Sequence, residues 1–112
     1  MEARYTPAYG QCLSSGAAAQ GVTRAMVECI AEEGSVQDAR LNRTYQSALA
    51  FLRPEQRPKL ILAQRAWIAF RDAKCDSENQ TGGTIDKIGY VSCDLRATVV
   101  RTMELEELQK TY

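Results

Sequence analysis

The sequence of 112 residues contains no histidine. This absence excludes Ser-His-Asp and Cys-His catalysis and removes the commonest metal ligand. A phosphate-binding loop is absent too, since Gly82-Gly83 lacks the third spaced glycine and the Lys-Ser/Thr pair. Adjacent carboxylates, Glu32-Glu33 and Glu106-Glu107, would point about 100° apart on a helix, which favours solvated faces over an acid–base pair. We therefore expect a protein that binds a partner, catalyses no reaction and needs no cofactor.

The chain has no net charge, because fourteen Lys and Arg residues balance fourteen Asp and Glu residues. Without a basic field, nucleic acid is not an expected partner. The longest apolar-rich runs, residues 48–52 and 60–63, are far shorter than the roughly 18 residues that a transmembrane helix needs. Residues 1–5 lack the basic and apolar regions of a signal peptide, so we expect a mature sequence without its leader.

Four cysteines are present, Cys12, Cys29, Cys75 and Cys93, and their wide spacing argues against zinc. An even number in a small domain is typical of an oxidising compartment, the periplasm or the cell exterior, where two disulfides persist. The alternative is four reduced cysteines in a cytosolic core. Of the three possible pairings, Cys12–Cys29 and Cys75–Cys93 are preferred, because each would secure a segment poor in core contacts.

The apolar pattern predicts one all-α domain spanning the whole chain. Residues 1–21 are rich in glycine and serine and are interpreted as an irregular arm. The first helix covers residues 22–52, and Gly34-Ser35 leaves open whether it is one bent helix or two. Pro54 and Pro58 bracket the start of a second helix, whose broad apolar face predicts a central position. A polar loop at 76–84 precedes a third helix that ends near Gln109, and short links favour antiparallel neighbours.

Several polar residues lie beside the apolar stripes of these helices. They are interpreted as hydrogen-bonding partners that fix the register of the bundle, with ligand binding as the alternative. The set comprises Asn42, Gln64, Trp67, Arg71, Asp72 and Arg101.

Three motifs resemble a known family. They are Asp-x-x-Leu-Asn-x-x-Tyr within residues 37–45, and Ala-Gln-x-Ala-Trp with Arg-Asp-x-x-Cys within residues 60–75. Together with Gly82-Gly83-Thr84, Cys93 and Thr98-x-x-Arg101, they resemble the LprI-type lysozyme-inhibitor domain over residues 12–108. The resemblance implies a helical, disulfide-bonded envelope domain, secreted or lipid-anchored in its native precursor. Cys12 follows Tyr9-Gly10-Gln11 and not a short apolar leader, so it lacks the context of a lipidated cysteine.

The resemblance leads to two hypotheses of function. In the first, the chain binds a lysozyme and occludes its cleft; in the second, it is a non-inhibitory interaction module of the envelope. Two surfaces are candidates for the first: an acidic helix face that would steer a basic enzyme, and a polar loop held rigid by Cys75–Cys93. The acidic face contains Glu28, Glu32, Glu33 and Asp38, and the loop contains Asn79, Gln80, Thr81, Gly82 and Gly83.

Overall fold

The computed structural model describes residues 4–77, 82–83 and 85–111, and within these ranges the chain is helical with no strand. The all-α prediction is therefore confirmed. The helices are α1 (Pro7–Leu13), α2 (Gly16–Ala19), α3 (Thr23–Phe51), α4 (Arg57–Asp76) and α5 (Ile85–Thr111), with a 3-10 turn at Pro54–Gln56.

The first long helix, α3, is continuous through Gly34 and Ser35. A glycine inside a helix costs about 1 kcal/mol relative to alanine, but burial of Ile30 and Gln37 on either side keeps this turn in the helix. The two-helix alternative is thereby removed. Leu52 and Arg53 are extended before Pro54, as residues preceding a proline usually are. As predicted, α4 begins between the two prolines, with Pro58 in its first turn.

The interpretation of residues 1–21 as an irregular arm was wrong for most of that segment, because it contains α1 and α2. Gly16 (φ 54°) and Gly21 (φ 82°) adopt the left-handed conformation that glycine tolerates, and they form the turns around α2. Helices this short are unstable alone. They persist here because Tyr9 packs against an apolar cluster of the long helices and Cys12 is cross-linked to α3.

The central helix is α5, and not α4 as the sequence suggested. Ile30 of α3 packs with Leu95 and Val99, whereas Ser47 hydrogen-bonds Gln109, so residue numbers rise together and the two helices are parallel. The second long helix, α4, runs antiparallel along the other flank of α5. The sequence analysis placed α4 at the centre because its apolar face is broad. Part of that face is exposed in the structure, including Leu62 and Phe70.

Two apolar clusters form the core along the α3–α5 contact. One contains Ile30, Leu95 and Val99. The other joins α3, α4 and α5 through Leu41, Ala48, Leu52, Leu60 and Leu105. The described part of the chain measures 51 × 30 × 17 Å, so the helices form a flat body with two broad faces.

Both predicted disulfides are present, which confirms the preferred pairing. Cys12–Cys29 joins α1 to α3, and Cys75–Cys93 joins the end of α4 to α5. The Cα–Cα distances of 5.7 and 5.4 Å lie within the usual range for a disulfide. Each bridge closes a loop of about the same length, 17 and 18 residues in separation. Both bridges lie at the same end of the body, where α3 and α5 begin and α4 ends.

Candidate functional site

A groove runs between α4 and α5, with a volume of about 510 Å³. It is called the α4–α5 groove below. Its apolar surface comes from Trp67 and Phe70 on α4 and from Ala97 and Val100 on α5. The remaining lining residues are Lys74, Gly89, Ser92, Cys93, Arg96 and Glu104. Phe70 is 62% exposed, so an aromatic ring stands in solvent beside the groove.

Two arginines contact the indole ring of Trp67. The guanidinium carbon of Arg71 is 5.0 Å from the ring centroid, and that of Arg101 is 5.9 Å away. Such cation–π contacts are each worth about 0.5–2 kcal/mol, depending on burial. Arg101 also donates from Nε to Oε1 of buried Gln64 at 2.9 Å. This arrangement holds the Trp67 ring in place at the inner wall of the groove.

A second set of polar contacts extends from Arg71. Its Nε lies 3.1 Å from Oδ1 of Asp94 on α5, and its guanidinium also pairs with Asp72 on its own helix. Arg71 and Asp94 line a smaller cleft of about 370 Å³ that also includes Asp38 of α3. Gln64, Arg71 and Arg101 therefore make polar contacts between α4 and α5.

Asn42 and Asp72 do not connect two helices. Asn42 is exposed on α3, and no hydrogen bond joins its side chain to a residue within the described ranges. Asp72 is exposed and contacts Arg71, its immediate neighbour. Both lie next to the apolar stripe in sequence but are rotated out of the helix contacts, because adjacent helical positions differ by about 100°.

Glu33 departs from the predicted acidic face, because its side chain is buried, with only 3% of the residue exposed. Its carboxylate accepts hydrogen bonds from Thr6 N (2.9 Å), Thr6 Oγ1 (2.6 Å) and Gln37 Nε2 (2.8 Å). Burial alone would raise the pKa of Glu33, but these bonds and the charge of Arg40 outweigh it and lower the pKa below 4.5. The residue anchors the N-terminal segment to α3.

We expect Glu33→Gln to destabilise the protein by about 1–3 kcal/mol at pH 7, because the neutral amide removes the charge that strengthens the hydrogen bonds from Thr6 and Gln37 and that attracts Arg40. A depressed folded pKa gives stability that is present above pH 4.5 and lost as the pH falls through the folded value. The difference between wild type and variant should therefore shrink at pH 3. Urea unfolding at both pH values measures it.

The matched control for this experiment is Glu32→Gln, since Glu32 is the exposed neighbour on the same helix. Its unfolding free energy should change by no more than about 0.5 kcal/mol. Equal destabilisation of both variants, or a Glu33→Gln deficit that persists unchanged at pH 3, would contradict the role assigned to the buried carboxylate.

The other predicted partner-binding residues are distributed over separate places. Glu28, Glu32 and Asp38 are exposed on α3, and Glu28 pairs with Arg24 one turn away. In the polar loop, Gly82 is exposed in a left-handed conformation, and its N–H donates to Asp86 Oδ2 at 2.7 Å. Gly83 is exposed beside it. Asn79, Gln80 and Thr81 lie outside the described residues.

Comparison of the sequence with known protein families indicates what kind of protein this is. The model of the lysozyme inhibitor LprI family matches residues 14–105. The chain belongs to the LprI family. The matched region contains three of the four cysteines and the whole α4–α5 groove.

Among known proteins, the LprI domain is similar to an uncharacterised protein of Rhizobium meliloti (strain 1021). The two are 29% identical over 98 residues, an alignment that covers 74% of this chain and 70% of the relative. No solved structure matches the chain at a significant level.

The α4–α5 groove of this LprI domain was missed by reasoning from the sequence. Trp67 and Phe70 were placed on the broad apolar face of the second helix, which was expected to be buried, because their spacing is helical and their side chains are apolar. The signal available in the sequence was that α4 has more apolar positions than contact with one neighbouring helix can bury. An apolar face wider than the contact that covers it is a signal of an interaction surface.

Proposed function

We propose that this LprI-family chain inhibits a lysozyme by binding over its substrate cleft. The family match along most of the chain carries the proposal, since the matched family is described as a lysozyme inhibitor. The mode of action is occlusion by a protein surface. No proton transfer or covalent step is required of the chain.

The architecture suits a rigid inhibitor. Two disulfides cross-link the helices at one end of the body, and every buried side-chain nitrogen or oxygen in the described residues has a hydrogen-bond partner. A surface that is ordered before binding loses less conformational entropy on association, and more of the contact energy then appears as affinity. Stiffness thus contributes to inhibition without any reactive group.

The proposed location is outside the cytoplasm, in the periplasm or secreted from the cell. The two disulfides support it, because such bridges form and persist in oxidising compartments. None of the helices in the described ranges is long and apolar enough to cross a membrane. Exposed acids on α3, Glu28, Glu32 and Asp38, would add electrostatic attraction toward a basic enzyme.

A lysis assay tests the proposal directly. We expect stoichiometric amounts of the oxidised protein to slow cell-wall lysis by at least one of a panel of lysozymes of the chicken, goose and bacteriophage types. Isothermal titration calorimetry with the inhibited enzyme should give a one-to-one complex. Heat-denatured, reduced protein is the control for nonspecific effects. Absence of both inhibition and binding across the panel would refute the proposal and favour a non-inhibitory envelope interaction module.

A further inference from the structure

We propose that the α4–α5 groove is the surface that meets the lysozyme, and that it faces the part of the enzyme cleft that carries the catalytic carboxylates. This inference rests on the proposed function and adds the interface and the chemistry of the contact. It assigns the main contact to α4 and α5, away from the acidic face of α3.

An aromatic side chain is exposed at the groove. Phe70 is 62% exposed, and Val100 across the groove is 39% exposed. Tryptophan, tyrosine and arginine dominate the energetic centres of protein interfaces, and exposed apolar patches rimmed by polar groups mark such interfaces. The groove combines the exposed Phe70 ring with the half-buried Trp67. A partner that covered both would remove much of this apolar surface from water.

Two cationic side chains lie at the edge of the groove. Lys74 and Arg96 both line the groove and are exposed. The carboxylate that also lines it, Glu104, lies 3.3 Å from Nη1 of Arg101, which partly offsets its charge. Glycoside hydrolases place two carboxyl groups beside the bond they cleave. A cationic rim around an apolar surface complements a cleft of that kind, and arginine pairs with carboxylates in a planar, two-point geometry.

Cation–π contacts and a disulfide hold the walls of the groove. Trp67 is held by Arg71 and Arg101, and Cys93, which lines the groove, is bonded to Cys75. The groove walls are thus fixed before a partner arrives. The broad face of the body measures 51 × 30 Å, which exceeds the roughly 800 Å² per partner of a standard protein interface.

A pair of serine variants tests the apolar contact. Phe70→Ser should raise the concentration needed to inhibit the most sensitive lysozyme of the panel by about 30-fold or more, as loss of an interface anchor does. Ile68→Ser is the matched control, because Ile68 is an exposed apolar residue of α4 but points to the opposite side of that helix. The concentration of Ile68→Ser needed for inhibition should stay within about two-fold of the wild-type value. Thermal unfolding verifies that both variants fold.

A double-mutant cycle tests the charge contact. Arg96→Gln is combined with the lysozyme in which the catalytic Glu is replaced by Gln, and Kd is measured for all four pairs. We expect the two changes to be non-additive, with a coupling of about ten-fold in Kd, because either one removes the same ion pair. The wild-type contact should also weaken with rising salt.

The outcomes separate this inference from the proposed function. If wild-type protein inhibits but Phe70→Ser inhibits equally well, or the charge cycle is additive, the groove assignment is overturned while lysozyme inhibition stands. If wild-type protein inhibits no lysozyme, the proposed function is refuted, and the groove assignment falls with it. Loss of inhibition in Phe70→Ser with a retained melting temperature, together with coupling at Arg96, supports both.

Discussion

Removal of both disulfides is expected to destabilise the protein by about 6 kcal/mol, since each closes a loop that contributes roughly 3 kcal/mol in the chain-entropy model. The sequence separations of 17 and 18 residues make the two contributions nearly equal. A domain of this size is stable by only about 5–15 kcal/mol in total. The doubly bridged protein should therefore unfold cooperatively, and the reduced protein should be partly or wholly unfolded near body temperature.

Paired alanine variants divide this effect between the bridges. Loss of Cys12–Cys29 removes the covalent link between α1 and α3, and loss of Cys75–Cys93 removes the link between the end of α4 and α5. Each pair should lower the melting temperature by more than about 10 °C, measured by far-ultraviolet circular dichroism. Adding reductant to the protein that lacks all four cysteines should change nothing. A reduced wild type that melts within a few degrees of the oxidised form would disprove the structural role.

Leu105→Ala should be the most damaging single core substitution, with a loss of about 2–5 kcal/mol. Leu105 is 1% exposed and packs where α3, α4 and α5 meet. Removing its side chain would leave a cavity at the contact of all three long helices. The surrounding residues cannot close that space without moving a helix, so the cost should lie in the upper part of the range.

Met103→Ala provides the comparison for that experiment. Met103 lies on the same helix two residues earlier, but it is 39% exposed and faces away from the core. Its unfolding free energy in urea should change by less than about 1 kcal/mol, because little buried surface is lost. Similar losses at both positions would show that the cluster around Leu105 is not the centre of the core.

The placement of α5 is the reason to expect a larger effect at Leu105 than at any residue of α4. Two helices that are distant in sequence, α3 and α5, form the main contact and run parallel. Thr98 and Thr102 are buried in this contact, and their hydroxyls donate to the carbonyls of Asp94 and Thr98 within α5. Because the helix satisfies these hydroxyls internally, the two backbones can approach without leaving unpaired polar groups.

Reasoning from sequence was most reliable where the signal is local. The prolines at 54 and 58 gave the start of α4, and the periodic apolar residues gave the three long helices. It was least reliable for burial. Glu33 resembled its exposed neighbour Glu32 in every local respect, yet α1 brings Thr6 onto it and buries it. No pattern within α3 carries that information, because the burying group lies 27 positions away.

The sequence by itself determined that the chain is helical and supplies no histidine, and it favoured the pairing of neighbouring cysteines that the structure shows. Tertiary structure alone decided that α5 lies between α3 and α4, that Glu33 is an internal anchor, and that Phe70 stands beside an open groove. The physical reason is that helical periodicity specifies how wide an apolar face is. It does not specify which neighbour covers that face, or how much of it is left for a partner.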